Sequence, residues 1–347
     1  MLALAVEGAD SGVHLHSADQ RAIDAVARLS GFPPEAVTLV PSTSLGLFQI
    51  AFGMTGGEVL VSPDEFPANL YPWWRARDAG LLDVRLMGGG GARGGGTMGG
   101  GTTAGPRFVT PELVAAGLTP ATRAVAVSAV DFRTGFRADL TGIREVIGDR
   151  LLVVDGIQAF GVAELPWTEA DALVVGGQKW VRAGWGTGFL ALSERGLDRL
   201  RPTLGGWTGV QEPTRYDGEQ HPPVDGARRF SITNGSPFAS AALAVALELV
   251  ESVGVPAIEA VIAEHADSLI ALLDAAGVRV VSPRPVGQRA GIVVAETRPG
   301  RGAAVHEALT AAGITTTRHA PDRIRLSVHV TTPETTLEVA ADVLADR

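Results

Sequence analysis

Short apolar runs alternate with amphipathic stretches along the first two-thirds of this chain. Ala124 to Ala129, Leu151 to Asp155, Ala172 to Val175 and Gly188 to Leu192 are rich in small and β-branched apolar residues. Their apolar positions are continuous rather than every second residue, the pattern of strands buried on both faces of a largely parallel sheet. Gln20 to Leu29 and Thr141 to Ile147 read as helices between such strands. The βα alternation predicts a doubly wound α/β domain. Ser236 to Val253 reads as a long Ala/Leu/Val-rich helix that links this domain to the C-terminal third of the chain. From about Ala257 the order becomes helix, strand, strand, helix, strand, strand, helix. The strands are Val278 to Val281, Gly291 to Ala295, Thr315 to Arg318 and Arg323 to Val330. Thr331 or Thr332 with Pro333 and Glu334 opens the last helix. The expected division is a large α/β domain over 1–256 and a smaller α+β domain over 257–347.

Gly88 to Gly105 interrupts the pattern with irregular glycines, GGGGARGGGTMGGGTTAG. A phosphate loop needs a strand before it and a helix start directly after it. The glycines here are far too many and too irregular for one, and the stretch reads as a flexible surface insertion.

The chain has 347 residues, 46% of them hydrophobic, which is enough for a large core. A net charge of −9 argues against a nucleic-acid surface. There are no cysteines, so disulfides, thiolate metal sites and a cysteine nucleophile are excluded, and no metal site is expected. No basic-then-apolar leader and no membrane-length apolar window is present, which makes a cytoplasmic location the expectation.

The candidate chemistry lies at two strand ends. Val174-Val175-Gly176-Gly177-Gln178-Lys179 carries a lysine out of a buried strand. Leu151 to Asp155 ends on a carboxylate, with Gln158 three residues on. An amine and a carboxylate at neighbouring buried strand ends are costly to desolvate unless something pairs with them. Pyridoxal 5′-phosphate (PLP) would pair with both: the lysine with its aldehyde, the aspartate with its ring nitrogen. Singly, each element has a plain alternative. A strand-end lysine usually reaches for water, and Asp155 could cap the next segment. Pro41-Ser42-Thr43-Ser44-Leu45-Gly46-Leu47 is either a phosphate cradle at a helix start or an ordinary N-cap. Phe66, in Asp64 to Trp73, is either a ring for stacking on a flat cofactor or core. Arg325 shares a strand face with Arg323 and Ser327, opposite Ile324, Leu326 and Val328; it either clamps a carboxylate or sits solvated at an edge.

These blocks, in this order, resemble the class V aminotransferase family of fold-type I PLP enzymes, which includes cysteine desulfurases, kynureninases and isopenicillin N epimerase-like proteins. The resemblance runs from about Arg21 to the end. It is carried by PSTSLGL, DEFPANLYPW, VSAVDFRTGFRADL, LLVVDGIQAFG, GGQKWVRAGWGTGF, LGGWTGV, ARRFSITNGSPF and RIRLSVHVTT. It implies that Lys179 bonds PLP covalently, that Asp155 pairs with the pyridine nitrogen and that Gln158 contacts the phenolic oxygen. Phe66 matches the ring-stacking position, where desulfurases carry histidine and kynureninases phenylalanine. Thr43, Ser44 and Gln178 match phosphate ligands. Gly235 and Ser236 match a pair that reaches the phosphate of a partner subunit, which implies a homodimer. Arg325 matches the arginine that binds the substrate α-carboxylate.

The chain also departs from the family's pattern. Without cysteine, a thiolate-attack desulfurase is excluded. The asparagine that desulfurases place near the ring falls around Phe132. Gln178 stands where many relatives have histidine. The N-terminal segment that lines the substrate pocket in relatives is expected to be short or missing. The resulting expectation is a PLP enzyme acting on a small amino acid, first as an aminotransferase with Lys179 as acid/base group. The alternatives are a lyase cleaving Cβ–S or Cβ–C, an epimerase, or a non-catalytic PLP-fold binding protein. Tyr71, Trp73, Trp185, Arg133 and Arg137 are the expected substrate-pocket residues.

Overall fold

The computed structural model describes residues 11–88 and 107–345. The glycine-rich stretch read as a flexible insertion lies, past Gly88, outside the described residues. The main sheet has strands β1 (Val37–Leu39), β2 (Glu58–Val61), β3 (Asp83–Leu86), β4 (Thr122–Ser128), β5 (Leu151–Asp155), β6 (Ala172–Gly176) and β7 (Gly188–Leu192). Their order across the sheet is β1-β7-β6-β5-β4-β2-β3. From β6 to β3 neighbours run parallel, whereas β7 is antiparallel to β6 and β1 to β7. The helices of this half are α1 (Ser11–Ser30), α2 (Thr43–Gly53), α3 (Tyr71–Asp78), α4 (Pro111–Gly117), α5 (Leu140–Ile147), α6 (Glu194–Arg199) and α7 (Pro237–Val253).

The continuous apolar runs are explained by burial on both faces. Along β5, Leu151 and Val153 belong to one buried cluster, with Leu47, Ile50 and Ala51 of α2 and Trp73 and Ala76 of α3. Leu152 and Val154 belong to another, with Val26 of α1, Ile143 and Ile147 of α5 and Leu247 of α7. Each fully buried aliphatic side chain contributes about 1.5–3 kcal/mol relative to exposure. Side chains alternate along a strand, so Asp155 falls on the same face as Leu151 and Val153, towards α2. By the same parity Gly176 follows Ala172 and Val174 on that face. α1 lies along α7, where Arg21 pairs with Glu248 and Arg28 with Glu251 through two hydrogen bonds each.

Gly254 ends α7 with φ 87°, and α8 (Val255–Ala275) leaves at 81° to it. After α8 come β8 (Arg279–Val280), β9 (Ile292–Glu296), α9 (Gly302–Ala311), β10 (Thr317–His319), β11 (Arg323–Ser327) and α10 (Glu334–Ala345). The strands form a second, antiparallel sheet ordered β10-β11-β9-β8. Ile324, Leu326 and Val328 are buried in it, whereas Arg323, Arg325 and Ser327 keep exposure, as their alternation predicts. The last strand, expected to reach Val330, ends at Ser327. The Val328 N–H still bonds Gly291 O at 2.8 Å; the His329 N–H then turns to Thr332 Oγ1 at 2.9 Å. No single described helix is long and apolar enough to cross a membrane.

The approach of α2 to β6 depends on Gly46. A Cβ there would lie 2.5 Å from Val174 Cγ1, closer than packed atoms tolerate. Gly46→Ala is expected to lower stability by about 1–3 kcal/mol through overpacking, read as a lower urea midpoint at unchanged slope. An unchanged midpoint would show that α2 can move off the sheet freely.

Candidate active site

β4, β5 and β6 end side by side, with Ser128 opposite Asp155 and Asp155 opposite Val174 in register. Asp155 is buried, and its Oδ1 accepts the Ile157 N–H at 3.0 Å. Burial pushes its pKa up to about 6; the Ile157 hydrogen bond and the Lys179 charge oppose this without cancelling it. Gln158, in the turn after β5, accepts the Trp180 indole N–H on Oε1 at 2.9 Å. Its Nε2 is buried with no hydrogen-bond partner.

β6 leads directly to Lys179. A Cβ at Gly176 would lie 2.5 Å from Gln178 Oε1 and 2.9 Å from Thr43 Oγ1. The glycine therefore lets those two side chains converge on the α2 side, in space that a Cβ would occupy. Thr43 opens α2, whose N-cap Ser42 accepts the Leu45 N–H at 3.2 Å. Thr43 Oγ1 is buried and unpartnered, while Ser44 is exposed beside it. Lys179 is half-buried, and its Nζ lies 5.2 Å from the centre of the Phe66 ring. Burial lowers the Lys179 pKa, Arg325 adds to that, and Asp155 opposes both. A lysine held this way is more readily the neutral, nucleophilic amine.

Phe66 is 42% exposed, so an aromatic face stands open beside the lysine. Its edge is fixed against Phe132 at 5.1 Å between ring centres, and Phe132 meets His319 of β10 edge-on at 5.2 Å. Arg325 of β11 reaches the same place. Its Nη1 donates to Phe132 O at 3.3 Å and its Nη2 to Thr317 Oγ1 at 3.2 Å.

Two groups were not singled out from the sequence. Glu65 is buried and accepts both the Ser128 N–H, at 2.8 Å, and the Ser128 hydroxyl. It thereby holds the residue beside Asp155. Burial, with a smaller push from Asp155, raises its pKa to about 7. A carboxylate directly after the buried run of β2 was the available signal. His319 had none, because only the β10–β11 register sets it beside Arg325.

Lys179, Asp155, Gln158, Gln178, Thr43, Phe66 and Arg325 are thus brought to one end of the sheet. Gly235 and Ser236 are not joined to them by any hydrogen bond among the described residues. Ser236 caps α7 through the Ala239 N–H at 3.4 Å. Of the expected pocket residues, Arg133 is at the site, paired with Asp64 at 2.8 Å. Trp73 is not: it is fully buried under α3 and donates to Asn69 Oδ1 at 3.2 Å, because α3 turns that face onto the core. Arg137 is not either: it pairs with Glu259 of α8 and donates to Glu164 O. Tyr71 packs on Trp74 and Arg75 of its own helix. Trp185, 87% exposed, stands between two positive-φ glycines.

Comparison with known proteins agrees with this arrangement. The family described as aminotransferase class-V matches residues 9–318. A kynureninase of Deinococcus radiodurans is 28% identical over 260 residues, 72% of this chain and 58% of the relative. An isopenicillin N epimerase of Streptomyces clavuligerus is 26% identical over 222 residues, 62% of this chain and 52% of the relative. The matched region thus spans little more than half the length of these curated relatives. Among solved structures, the cystine C–S lyase C-DES superposes with a TM-score of 0.83 at 23% identity, covering 97% of this chain and 88% of that one. A cysteine desulfurase from Thermococcus onnurineus gives 0.81 at 20% identity, covering 97% and 85%.

Glu65 makes stability depend on pH. Its folded pKa, about 7, lies above the ordinary value of 4.5, so the folded chain binds that proton more tightly than the unfolded one. Its contribution is therefore complete below about pH 4.5 and is lost as pH rises through 7. Between pH 4 and 8 the wild type is expected to lose up to about 3 kcal/mol relative to Glu65→Gln, measured as the difference in Tm at each pH. A pH-independent difference would show that Glu65 does not titrate in this window.

Proposed function

The chain belongs to the aminotransferase class-V family, and from that premise we propose that it is a PLP-dependent enzyme acting on a small α-amino acid, by transamination. The observation that carries this reading is a half-buried amine, Lys179, within the electrostatic reach of a buried carboxylate, Asp155, past the ends of adjacent strands. Around them Thr43 Oγ1 and Gln158 Nε2 are buried without partners. Each such atom costs about 1–3 kcal/mol while unsatisfied. The residues fit PLP at every point: Lys179 Nζ for the aldehyde carbon, Asp155 for the ring nitrogen, Gln158 Nε2 for the phenolic oxygen and the open face of Phe66 for the ring. Thr43, Ser44 and Gln178 take the phosphate, where Gly176 lets Thr43 and Gln178 converge. Gly235 and Ser236 serve the phosphate of a second copy, which makes the protein a homodimer. The division near residue 256 separates the part that holds the cofactor from the part that carries Arg325.

When bound, PLP supplies the electron sink that makes the substrate's Cα–H acidic. Asp155 keeps the ring nitrogen protonated; a cation there in turn draws the Asp155 pKa down from about 6. Arg325 holds the α-carboxylate with two parallel N–H donors. Lys179 Nζ would be the base that takes the proton from the substrate Cα and the acid that returns one. A second reading, cleavage of a Cβ–C bond, is favoured by Phe66, since phenylalanine stands at that position in kynureninases. Both readings use the same groups up to proton removal.

Borohydride treatment of the PLP-loaded protein should fix the cofactor on Lys179, and Lys179→Ala should bind none covalently. Cofactor that borohydride still fixes to the chain in that variant would sink the assignment. Incubation with an amino acid alone should release about one 2-oxo acid per subunit and then stop; continued turnover that releases alanine from a substrate with a Cβ-acyl side chain would select the lyase. Arg325→Ala should raise KM for an amino acid by roughly tenfold to a hundredfold, and far less for its amide. Equal effects on both would remove Arg325 from carboxylate binding.

A further inference from the structure

Three side-chain nitrogens at the substrate end of the site are buried without a hydrogen-bond partner: Nε of Arg325, Nε of Arg133 and Nε2 of His319. Arg133 has its charge answered by Asp64 at 2.8 Å and Asp131 at 3.4 Å. Among the described residues no carboxylate pairs with Arg325 or His319. The two are close because of the antiparallel register of β10 and β11. Thr317 lies opposite Arg325 and His319 opposite Arg323, so all four side chains share one face. The His319 ring is held edge-on by Phe132 at 5.2 Å, and Phe132 is held in turn against Phe66 at 5.1 Å. These contacts fix the imidazole in a row that leads from the lysine past the arginine. Burial, Arg325 and Arg133 push its pKa down to about 4, so it is neutral at neutral pH.

An imidazole nitrogen left unpartnered in the field of two guanidinium groups is complemented, as its N–H tautomer, by an oxygen acceptor, and best by an anionic one. We propose that His319 reads the substrate side chain: with the α-carboxylate on Arg325, its Nε2–H donates to a side-chain carboxylate, so that the enzyme prefers acidic α-amino acids to aliphatic ones. This rests on the reading of the site as a PLP enzyme. A bare hydrogen-bonding role in the fold is not available to Nε2, which has no protein partner.

The test uses the PLP-loaded protein and two probes, L-aspartate and L-alanine, with apparent dissociation constants from absorbance titration and, with glyoxylate added as amino acceptor, kcat and KM from 2-oxo acid release. Wild type should bind aspartate more tightly than alanine. In His319→Phe, which keeps the ring packing on Phe132, the aspartate-to-alanine preference should fall roughly tenfold to a hundredfold, mostly in KM. His319→Gln, which keeps a donor, should recover part of it. An unchanged preference in His319→Phe would overturn the proposal, as would a wild type that does not prefer aspartate, an observation that needs no variant. Borohydride labelling of Lys179 in the same samples separates the two ideas: absence of label defeats the PLP reading itself, whereas label without aspartate preference defeats only the role of His319.

Discussion

The site is organised by the desolvation of Asp155. A carboxylate at the end of a strand covered on both faces has one backbone donor, the Ile157 N–H, and one nearby cation, Lys179. A unit charge about 4 Å away is worth about 4 kcal/mol at an effective dielectric near 20. Lys179 supplies less than the carboxylate needs, since the Asp155 pKa still stands near 6. The lysine is itself biased towards neutrality by burial and by Arg325. A pair in which neither partner fully satisfies the other is a poor device for stability. It suits a third group that bonds the amine and brings a cation of its own to the carboxylate.

The sheet places that pair by parity alone. Asp155 and Gly176 fall on the α2 side because Leu151, Val153, Ala172 and Val174 do. Thr43 begins α2 on that same side, so the carboxylate, the glycine and the hydroxyl share one face before any of them makes a contact. Gly46 lets the helix close onto Val174, and Gly176 lets Thr43 and Gln178 converge. One added methyl group at either position would act on the distance between Thr43 and Gln178. Glu65 extends the arrangement to β4: by holding Ser128 through both its N–H and its hydroxyl, it fixes the backbone that lies opposite Asp155.

Much of this was legible in the sequence because the signals were local. Strands buried on both faces announce themselves as unbroken apolar runs, and Lys179, Asp155 and Gln158 stand within a few residues of their ends. Ile324, Leu326 and Val328 marked the buried face of β11, and so put Arg325 on the other. What was lost depended on contacts between distant segments. Trp73 looked like a pocket aromatic, but α3 faces it inward. Arg137 shares a loop with Phe132 and Arg133 yet pairs with Glu259 of α8, more than a hundred residues on. His319 could not be seen as a neighbour of Arg325 until the β10–β11 register was known.

The second sheet carries Arg325 and is also tied to the neighbour of the lysine. The His329 ring, just past β11, stacks on Trp180 at 5.9 Å, and its Nε2 lies 3.3 Å from Trp180 O. Arg182 reaches Thr331 at 2.8 Å. Trp180 in turn donates to Gln158, so one short path joins the segment after β11, the residue next to Lys179 and the residue three beyond Asp155. Four residues back along the same chain, Arg325 bonds the Phe132 carbonyl, and Phe132 holds Phe66 edge-on. The segment from Arg325 to Thr331 therefore grips the main sheet at two points, one on each side of the lysine. Arg325 is thus positioned by the same contacts that position the Phe66 ring, and its place relative to Lys179 is set by the fold rather than by the flexibility of a long side chain.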